Sequence, residues 1–461
     1  MENYSTFINR NAAQEKNEFD IIDNELYFHD INLMNVIETY GTPLRFTYLP
    51  VISNKITEMK QLFLNEMCSL RYRGKHIYCY CTKSSHFSHI LNEVLKNDTG
   101  LEISSGFDIP LILSLNASGH LHKNTLIICN GFKTEAYKQG IAELINAGFR
   151  KVIPVLDNKE EFHFYAGNIH HPVDIGIRIA SEDRPLSGFY TSRLGIRRED
   201  IIEFYKNRIA AVPRIRLTTI HFFIDSGISD TNFYWEELEK NVILYCRLKA
   251  VNPDLTTLDI GGGMPFTDSL EFNFDYQKFV NGIIGKIKEI CAGYGVQEPD
   301  IITEFGKYTV AESSGILYKV LGRKQQNNKE KWLMLDGSFI TNLPDTWAIG
   351  QKYILLPVNN LDIPHEQVYL GGMTCDGDDY YNSGPGGSRL FMPGTRKTQY
   401  IGFFHTGAYQ EVLSGFGGIS HCLLPSPKHI IIGRDPHGLL QYSVFAEEQN
   451  SRQALQILGY L

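Results

Sequence analysis

The chain has 461 residues, which is more than one ordinary hydrophobic core accommodates and predicts two domains, or a barrel with a second domain. Its composition, 43% hydrophobic and 21% charged, is typical of a folded globular protein and argues against extended disorder. The net charge of −8, without a long basic run, disfavours a nucleic-acid partner and favours cationic substrates.

The N-terminal residues and the cysteines bear on the compartment in which the protein works. Residues 1–20 are polar and acidic without an apolar signal core, and no later run is long enough to cross a membrane. The eight cysteines form no CxxC pair and have no matching set of histidines, so we expect reduced thiols and no zinc site. These features predict a cytoplasmic enzyme.

Residues 1–48 contain short apolar runs broken by Gly41 and Pro43, which predict an N-terminal strand region. From residue 49 to residue 314, helical and strand patterns alternate. This alternation predicts a parallel sheet, and the number of units predicts a closed (β/α)8 barrel, with an open doubly wound sheet as the alternative. The strand candidates are residues 76–83, 100–105, 126–130, 151–158, 174–180, 218–225, 256–263 and 300–306.

Residues 315–461 have a different pattern. Short apolar runs separated by Gly, Pro, Asn and Asp predict an antiparallel β domain. The glycine-rich segment 380–389, centred on Gly384–Gly387, predicts a mobile surface loop. The strand candidates are residues 332–340, 353–360, 367–376, 390–394, 399–409, 429–435 and 440–446.

The predicted barrel strands are followed by polar residues or glycines. In a parallel barrel, chemistry gathers at the C-terminal ends of the strands. One such residue is easily explained by structure alone, but an entire ring of them is not. The ring comprises Lys83, Glu102, Asn130, Asp157, Arg178, Asp225, Ser226, Gly261, Gly262, Gly263 and Glu304.

Lys83 closes the apolar run HIYCYC of residues 76–81. A desolvated ammonium is costly unless it is paired or its pKa falls. A lysine whose pKa falls far enough to leave a free amine can form a Schiff base with an aldehyde cofactor. A surface lysine at a strand end is the commoner case, so the chemical interpretation depends on the other motifs.

Three other patterns in the barrel region have both a chemical and a structural interpretation. The glycines of residues 261–263 allow backbone N–H groups to approach a phosphate, although a plain turn explains them equally well. Glu304 could keep a pyridine nitrogen protonated, or interact with a helix dipole. Alternation along a strand places His221, Phe223 and Asp225 on one face, with a core histidine as the alternative.

Two patterns in the C-terminal region concern a thiol and a hydroxyl. Cys375 stands beside Asp376 and Asp379, and nearby carboxylates should keep its thiol protonated and able to donate a proton. Tyr409 follows the segment FFHTGA, where its hydroxyl could reach a phosphate.

The chain resembles the fold-type III PLP-dependent decarboxylases, which include ornithine, diaminopimelate, arginine and carboxynorspermidine decarboxylases. The motifs that match in order are Lys83, DIGIRIA with Arg178, LDIGGGMP, EFGKY, TCDGDD and TGAY, and together they cover nearly the whole chain. The stretches YCYCTKSSHF, LPDTWAI and GFGGISHCLLPSPKH are most similar to a bacterial arginine decarboxylase group.

The resemblance implies a fold, a cofactor and an assembly. The fold is a TIM-like barrel over residues 49–314 and, as in alanine racemase, an antiparallel β-barrel or sandwich domain over residues 315–461 that residues 1–48 join. The assembly is a homodimer with an active site shared between subunits, and the cofactor is pyridoxal 5′-phosphate. The residues expected to hold it are Lys83, Glu102, Arg178, Phe223, Ser226, Gly261, Gly262, Gly263, Glu304, Lys307 and Tyr409.

The family pattern also implies individual roles for these residues. Lys83 would bind the cofactor aldehyde, Glu304 the pyridine nitrogen, and Arg178 would lie beside the ring hydroxyl. The glycines, Ser226 and Tyr409 would hold the phosphate. Two positions depart from the pattern, because Phe223 replaces the histidine that stacks on the ring and Lys307 replaces an arginine.

The implied reaction is α-decarboxylation of a basic amino acid, with L-arginine to agmatine in polyamine biosynthesis ranked first. Cys375 of the partner subunit would return a proton to Cα. Asp376 would meet the distal cation of the substrate, with Asp345 and Asp379 as further candidates. The alternatives are decarboxylation of ornithine, lysine of either hand, carboxynorspermidine or diaminopimelate, a racemase, and a catalytically dead regulatory homologue, which would be expected to have lost Lys83 or Cys375.

Overall fold

The structure is a computed structural model and describes residues 18–181, 192–224, 228, 231–328, 330–381 and 390–461. The chain forms two compact units. The barrel unit comprises Ile52–Pro265 and Phe274–Thr309, and the sheet unit comprises the chain up to Val51, Phe266–Asn273 and Val310–Leu461. The segment Phe266–Asn273 thus belongs to the sheet unit although the barrel sequence flanks it on both sides.

The N-terminal part of the sheet unit begins with short elements in quick succession. Three strands form a small antiparallel sheet of their own, and a fourth joins the large sheet. The elements are β1 (Phe19–Ile22), β2 (Glu25–Phe28), β3 (Ile31–Asn32), α1 (Leu33–Tyr40) and β4 (Leu44–Tyr48).

Eight parallel strands close into a barrel in the barrel unit, which confirms the predicted (β/α)8 architecture. The strands are apolar and buried, as expected where helices cover the outside and side chains fill the interior. In chain order they are β5 (His76–Cys81), β6 (Gly100–Ile103), β7 (Ile127–Cys129), β8 (Val152–Leu156), β9 (Val173–Arg178), β10 (Ile215–His221), β11 (Thr257–Asp259) and β12 (Asp300–Glu304).

Helices connect the barrel strands, and polar side chains cap several of them. Thr134 Oγ1 accepts the amide of Tyr137, and Asp275 Oδ1 accepts the amide of Lys278, so both helices begin where the sequence supplies a capping oxygen. The helices of this region are α2 (Pro50–Ser69), α3 (Ser88–Leu95), α4 (Asp108–Ala117), α5 (Glu135–Asn146), α6 (Glu160–Asn168), α7 (Arg198–Phe204), α8 (Thr231–Lys249), α9 (Tyr276–Tyr294) and α10 (Lys307–Val310).

All eight barrel strands end earlier than the sequence predicted, and β10 and β11 fall short by the most residues. β11 stops at Asp259, because Gly261 has a φ of +68° and turns the chain away from the barrel wall. β10 stops at His221, which pairs with Asp259, the last residue of β11, and one further backbone hydrogen bond, from the Phe222 amide to the Asp259 carbonyl, ends the pairing. Phe223 therefore lies after the strand, and the expectation that it shares a strand face with His221 is wrong.

The sheet unit contains a ten-stranded sheet whose main path runs β17-β16-β14-β13-β4-β20-β21. Most pairs are antiparallel, but β4 pairs with β20 and β14 with β16 in parallel, so the prediction of a purely antiparallel domain needs this correction. The strands are β13 (Ser314–Gln325), β14 (Lys331–Leu335), β15 (Ile354–Pro357), β16 (His365–Gly371), β17 (Tyr380–Tyr381), β18 (Leu390–Pro393), β19 (Tyr400–Phe404), β20 (Lys428–Arg434) and β21 (Leu440–Ala446).

Short helices interrupt this sheet where strands were predicted to continue. The predicted strand 332–340 ends at Leu335, because Ser338 caps a helical turn by accepting the amide of Thr341. The helices are α11 (Phe339–Asn342), α12 (Pro344–Ala348), α13 (Gln410–Ser414) and α14 (Ser451–Ile457). Among the residues that the structure describes, none of the helices combines the length and apolarity needed to traverse a bilayer.

Candidate active site

Lys83 and Glu102 meet at the C-terminal ends of two adjacent barrel strands. Lys83 lies in a helical turn, Thr82–Ser84, that directly follows β5. Its Nζ donates a hydrogen bond to Glu102 Oε2 at 2.5 Å, and Glu102 is completely buried on β6. Thr82 Oγ1 donates to the Glu102 carbonyl at 3.2 Å, which ties the turn to the neighbouring strand. The strand pairing thus fixes the lysine beside the carboxylate.

The pKa of Lys83 is raised, whereas the sequence analysis considered a lysine whose pKa is lowered. Burial by itself lowers this pKa, as expected, but the charges of Cys81, Glu102 and Glu304 outweigh burial and raise it well above its ordinary value. Pairing with Glu102, rather than loss of the proton, offsets the cost of desolvation. Lys83 can act as a nucleophile only after its proton leaves, and Glu102 is the acceptor in contact with it.

Glu304, the last residue of β12, lies in a buried polar network. Asn130 Nδ2 donates to Glu304 Oε1 at 2.7 Å, and His221 Nε2 lies 4.0 Å from Glu304 Oε2. Burial, followed by the charge of Asp259, raises the pKa of Glu304 well above its ordinary value. Two acids in such a site cannot both ionise cheaply, so the network retains a proton.

Asp259 completes this network, and sequence reasoning missed it. Its Oδ1 lies 3.3 Å from His221 Nδ1 and accepts the amide of Gly261 at 2.9 Å. Burial raises the pKa of Asp259 to about 7, and burial lowers the pKa of His221 to about 4. The available signal was an acid inside the buried strand that immediately precedes the glycine triplet.

The glycine triplet is required by the backbone itself. Gly261 and Gly263 have φ values of +68° and +91°, where side chains are disfavoured, and a Cβ at Gly262 would lie 2.5 Å from the Glu304 carbonyl oxygen. A Cβ at Gly261 would lie 3.2 Å from Phe223 Cδ2, so the Phe223 ring packs beside the triplet. The turn alone accounts for these glycines, and their contact with a phosphate stays a prediction.

The remaining residues expected to hold the cofactor in the barrel unit are only partly described. Arg178 is the buried last residue of β9, and Lys307 begins α10, directly after the turn that follows β12. Ser226, expected to bind the phosphate, lies outside the described residues, and so do Asp225 and the loop at Gly384–Gly387.

Several buried polar atoms around the barrel mouth have no hydrogen-bond partner within the described part of the chain. Buried polar atoms are normally paired, so a group of them at one place indicates a polar ligand. They come from strands whose C-terminal ends meet at the same edge of the barrel, and they include both donors and acceptors, as a pyridine cofactor with a ring nitrogen and a hydroxyl requires. The atoms are Glu102 Oε1, Asn130 Oδ1, Arg178 Nε, His221 Nδ1 and Asp259 Oδ2.

In the sheet unit, the thiol of Cys375 is exposed and lies 3.4 Å from Cys422 Sγ. Its pKa is raised, in the expected direction, but the first cause is the hydrogen bond with Cys422, and Asp376 contributes less. Asp376 is itself exposed, and its Oδ1 accepts the amide of Asp378. Tyr409 lies at the start of α13 with a φ of +68°.

The other two candidate acids of the sheet unit are buried and already bonded. Asp379 accepts hydrogen bonds at Oδ1 from Ser338 Oγ and the amide of Phe339, and at Oδ2 from the amide and hydroxyl of Thr374. Asp345 Oδ2 accepts Gln410 Nε2 at 2.9 Å. Both carboxylates therefore organise the local backbone and side chains of this unit.

A closed parallel barrel that presents a lysine, a buried carboxylate and unpaired polar atoms at one mouth fits an enzyme site for a polar cofactor. The family model described as pyridoxal-dependent decarboxylase, pyridoxal binding domain, matches residues 53–311, more than half of the chain. The chain belongs to this family and is a pyridoxal-phosphate-dependent amino-acid decarboxylase, as the sequence motifs predicted.

Relatives with a known name or structure agree with this assignment. The biosynthetic arginine decarboxylase of Prochlorococcus marinus (strain MIT 9515) is 21% identical, over 99% of this chain and 87% of its own. The crystal structure of the biosynthetic arginine decarboxylase from Campylobacter jejuni is similar with a TM-score of 0.82 at 19% identity, covering 100% of this chain and 91% of that one. Diaminopimelate decarboxylase from M. jannaschii, in complex with L-lysine, has a TM-score of 0.76 at 17% identity, covering 95% and 97%.

Proposed function

We propose that this enzyme removes the α-carboxylate of a basic amino acid, and that its preferred substrate is L-arginine, which yields agmatine. The observation that carries the reaction is the Lys83–Glu102 pair at the mouth of the barrel, together with the buried carboxyl of Glu304. The arginine decarboxylases that align over nearly the whole chain support the choice of arginine.

In the proposed mechanism, Lys83 is the amine that binds the cofactor aldehyde. Glu102 Oε2 holds the Lys83 Nζ proton and accepts it when the amine reacts. The bound cofactor supplies an electron sink for the pair that remains when carbon dioxide leaves. Because Glu102 is fully buried, the proton it receives stays beside Lys83 and can return to the lysine at the end of the cycle.

Glu304 is proposed to control the charge of the ring nitrogen. Asn130 holds Glu304 Oε1 by a hydrogen bond, and Glu304 Oε2 lies 4.0 Å from His221 Nε2. Since burial and Asp259 favour a protonated carboxyl, Glu304 can share its proton with a basic nitrogen and become the matching anion. The Glu304 anion would then be paired with a protonated ring nitrogen, and this pairing would keep the ring of a bound cofactor electron-withdrawing.

Cys375 is proposed to deliver the proton to Cα after carbon dioxide has left, from the partner subunit of a homodimer. Its raised pKa supports this role, because a thiol rather than a thiolate is needed as the donor. Asp376 is the acid proposed to meet the distal cation of the substrate, since it is exposed. We propose no substrate contact for Asp379, because both of its oxygens already accept hydrogen bonds from the protein.

Carbon dioxide release from a panel of substrates tests the proposal. The panel contains arginine, ornithine, lysine, diaminopimelate and carboxynorspermidine, with the D-isomers included, and the expected result is the highest kcat/KM for L-arginine. Turnover of diaminopimelate but not arginine would refute the substrate and leave the mechanism intact. If the protein releases no carbon dioxide and its absorbance is unchanged by pyridoxal phosphate, the result would favour the alternative that it is a regulatory homologue without catalytic activity. A cytoplasmic location and a place in polyamine biosynthesis remain predictions from the sequence.

A further inference from the structure

Four side chains that commonly bind metals come together on the surface of the sheet unit. We name Cys375, Asp376, His421 and Cys422 the thiol–imidazole cluster. The Sγ atoms of Cys375 and Cys422 are 3.4 Å apart, and these atoms and a ring nitrogen of His421 all lie within 4.8 Å of one another. His421 Nε2 lies 3.7 Å from Asp376 Oδ2, which adds a fourth potential ligand.

A strained turn brings the distant parts of this cluster together. Cys422 has a φ of +56° and the next residue, Leu423, a φ of +53°, although neither is a glycine. This conformation is unfavourable for residues other than glycine, and such strain persists where the surrounding structure holds the residue in place. Here the Cys375 amide donates to Cys422 Sγ at 3.5 Å, so the turn directs the second thiol onto a residue 47 positions away.

The separations suit a metal better than a bond between the two sulfurs. A disulfide requires its sulfurs to be about 2.05 Å apart. In a tetrahedral zinc site with bonds of about 2.3 Å, two sulfur ligands are about 3.8 Å apart. The observed 3.4 Å is a non-bonded contact, too long for a disulfide and a little shorter than the zinc separation, and two thiolates with an imidazole and a carboxylate are ligands that zinc prefers.

We propose that the thiol–imidazole cluster binds a thiophilic divalent cation, Zn²⁺ above all, although the spacing of the cysteines in the sequence predicted no zinc site. Binding converts two thiols and one Zn²⁺ into a bis-thiolate complex and releases two protons, so affinity falls as the pH is lowered. The consequence for catalysis rests on the proposed function: zinc removes the proton that Cys375 would give to Cα and occupies the carboxylate of Asp376. Zinc therefore inhibits decarboxylation at the step that follows loss of carbon dioxide.

Cobalt substitution tests the binding site without reference to turnover. The full-length holoenzyme, reduced with a phosphine, is titrated with Co²⁺, and thiolate-to-cobalt charge transfer in the near ultraviolet is recorded. We expect one Co²⁺ per chain, displaced by Zn²⁺, and an affinity weakened at least about tenfold in both Cys422→Ser and His421→Ala. Cys68→Ser, which removes an exposed cysteine elsewhere in the chain, is the matched control and leaves the titration unchanged.

Two results would overturn the metal site. These are the absence of the charge-transfer band from the wild type, and a Co²⁺ affinity that is unchanged in both Cys422→Ser and His421→Ala. The two variants change different ligands, so misfolding of one leaves the other as a test.

Zinc inhibition separates failure of this site from failure of the proposed function. We expect Zn²⁺ to slow turnover of the wild type, and at least about ten times more Zn²⁺ to be needed for the same effect in Cys422→Ser. Metal binding without decarboxylation of any basic amino acid would refute the proposed function and leave the site standing. Binding that leaves turnover unaffected would refute the role of Cys375, and normal turnover without binding would refute the site alone.

Discussion

The barrel mouth and the segment around Cys375 hold their acids in different ways. At the barrel mouth, Glu102, Glu304 and Asp259 are buried at strand ends, where the pairing of the barrel fixes each one. Around Cys375, two acids three positions apart have opposite environments, since Asp376 is exposed and Asp379 is buried with its oxygens occupied. The position of a residue along a barrel strand predicts whether its side chain is buried. The position of a residue in a loop does not.

Replacing the barrel lysine should have the largest effect. Lys83→Ala is expected to lower decarboxylation about a thousandfold or more, because the amine proposed to bind the cofactor aldehyde is lost. Carbon dioxide release and the visible absorbance of bound cofactor are the measurements. Lys96→Ala is the control, since the side chain of Lys96 is 66% exposed and its ion pair with Glu93 should contribute little. Comparable activity in the two variants would remove Lys83 from the mechanism.

Removal of the thiol of Cys375 should have the next largest effect. Cys375→Ala is expected to slow turnover about a hundred- to a thousandfold, or to divert protonation, while the cofactor stays bound. The residues proposed to bind the cofactor at the barrel mouth do not depend on this thiol. The absorbance of bound cofactor should therefore be unchanged, and it serves as the internal control. If the cofactor were lost together with activity, the assignment of Cys375 as proton donor would be wrong.

Replacing Asp376 should change the kinetics of the enzyme, whereas replacing Asp379 should change its stability. Asp376→Asn is expected to raise KM about ten- to a hundredfold with an unchanged thermal midpoint, because a charged hydrogen bond to the substrate is weakened. Asp379→Asn is expected to destabilise the fold by about 1–3 kcal/mol, because an amide cannot accept at both positions. Kinetics and thermal unfolding of both variants make the comparison, and a reversal of the two phenotypes would contradict the assignment of Asp376 to substrate.

Replacing the buried histidine at the barrel mouth should change stability in a way that depends on pH. The pKa of His221 falls from 6.5 to about 4 on burial, so the unfolded chain binds more protons between these values and stability falls as the pH is lowered. His221→Asn should remove this loss, which amounts to about 3 kcal/mol. Asp259, with its pKa raised to about 7, acts in the opposite direction, so the difference between variant and wild type is the informative quantity. If the thermal midpoints of His221→Asn and the wild type differed by the same amount at pH 4.5 and at pH 7, the proposed effect of His221 on stability would be contradicted.

The barrel was predictable because its strands are apolar runs with a polar residue at the end, and Lys83, Glu102 and Glu304 all occupy such ends. Other features depend on contacts between distant parts of the chain. The raised pKa of Lys83 follows from Cys81 at the end of its own strand and from Glu102 and Glu304 on two other strands. The pairing of Cys375 with Cys422 follows from a turn with positive φ values at residues that are not glycine, which the sequence does not predict. Asp259 was overlooked because a buried strand is normally apolar, and an acid within it has meaning only beside His221 and Glu304.

Reductive trapping of the cofactor tests the central claim most directly. The protein is incubated with pyridoxal phosphate, reduced with borohydride and digested, and the modified lysine is located by mass spectrometry. We predict one modified position, Lys83, because its Nζ lies beside Glu102 at the mouth of the barrel. Modification of another lysine with Lys83 unmodified, or of none, would contradict the account.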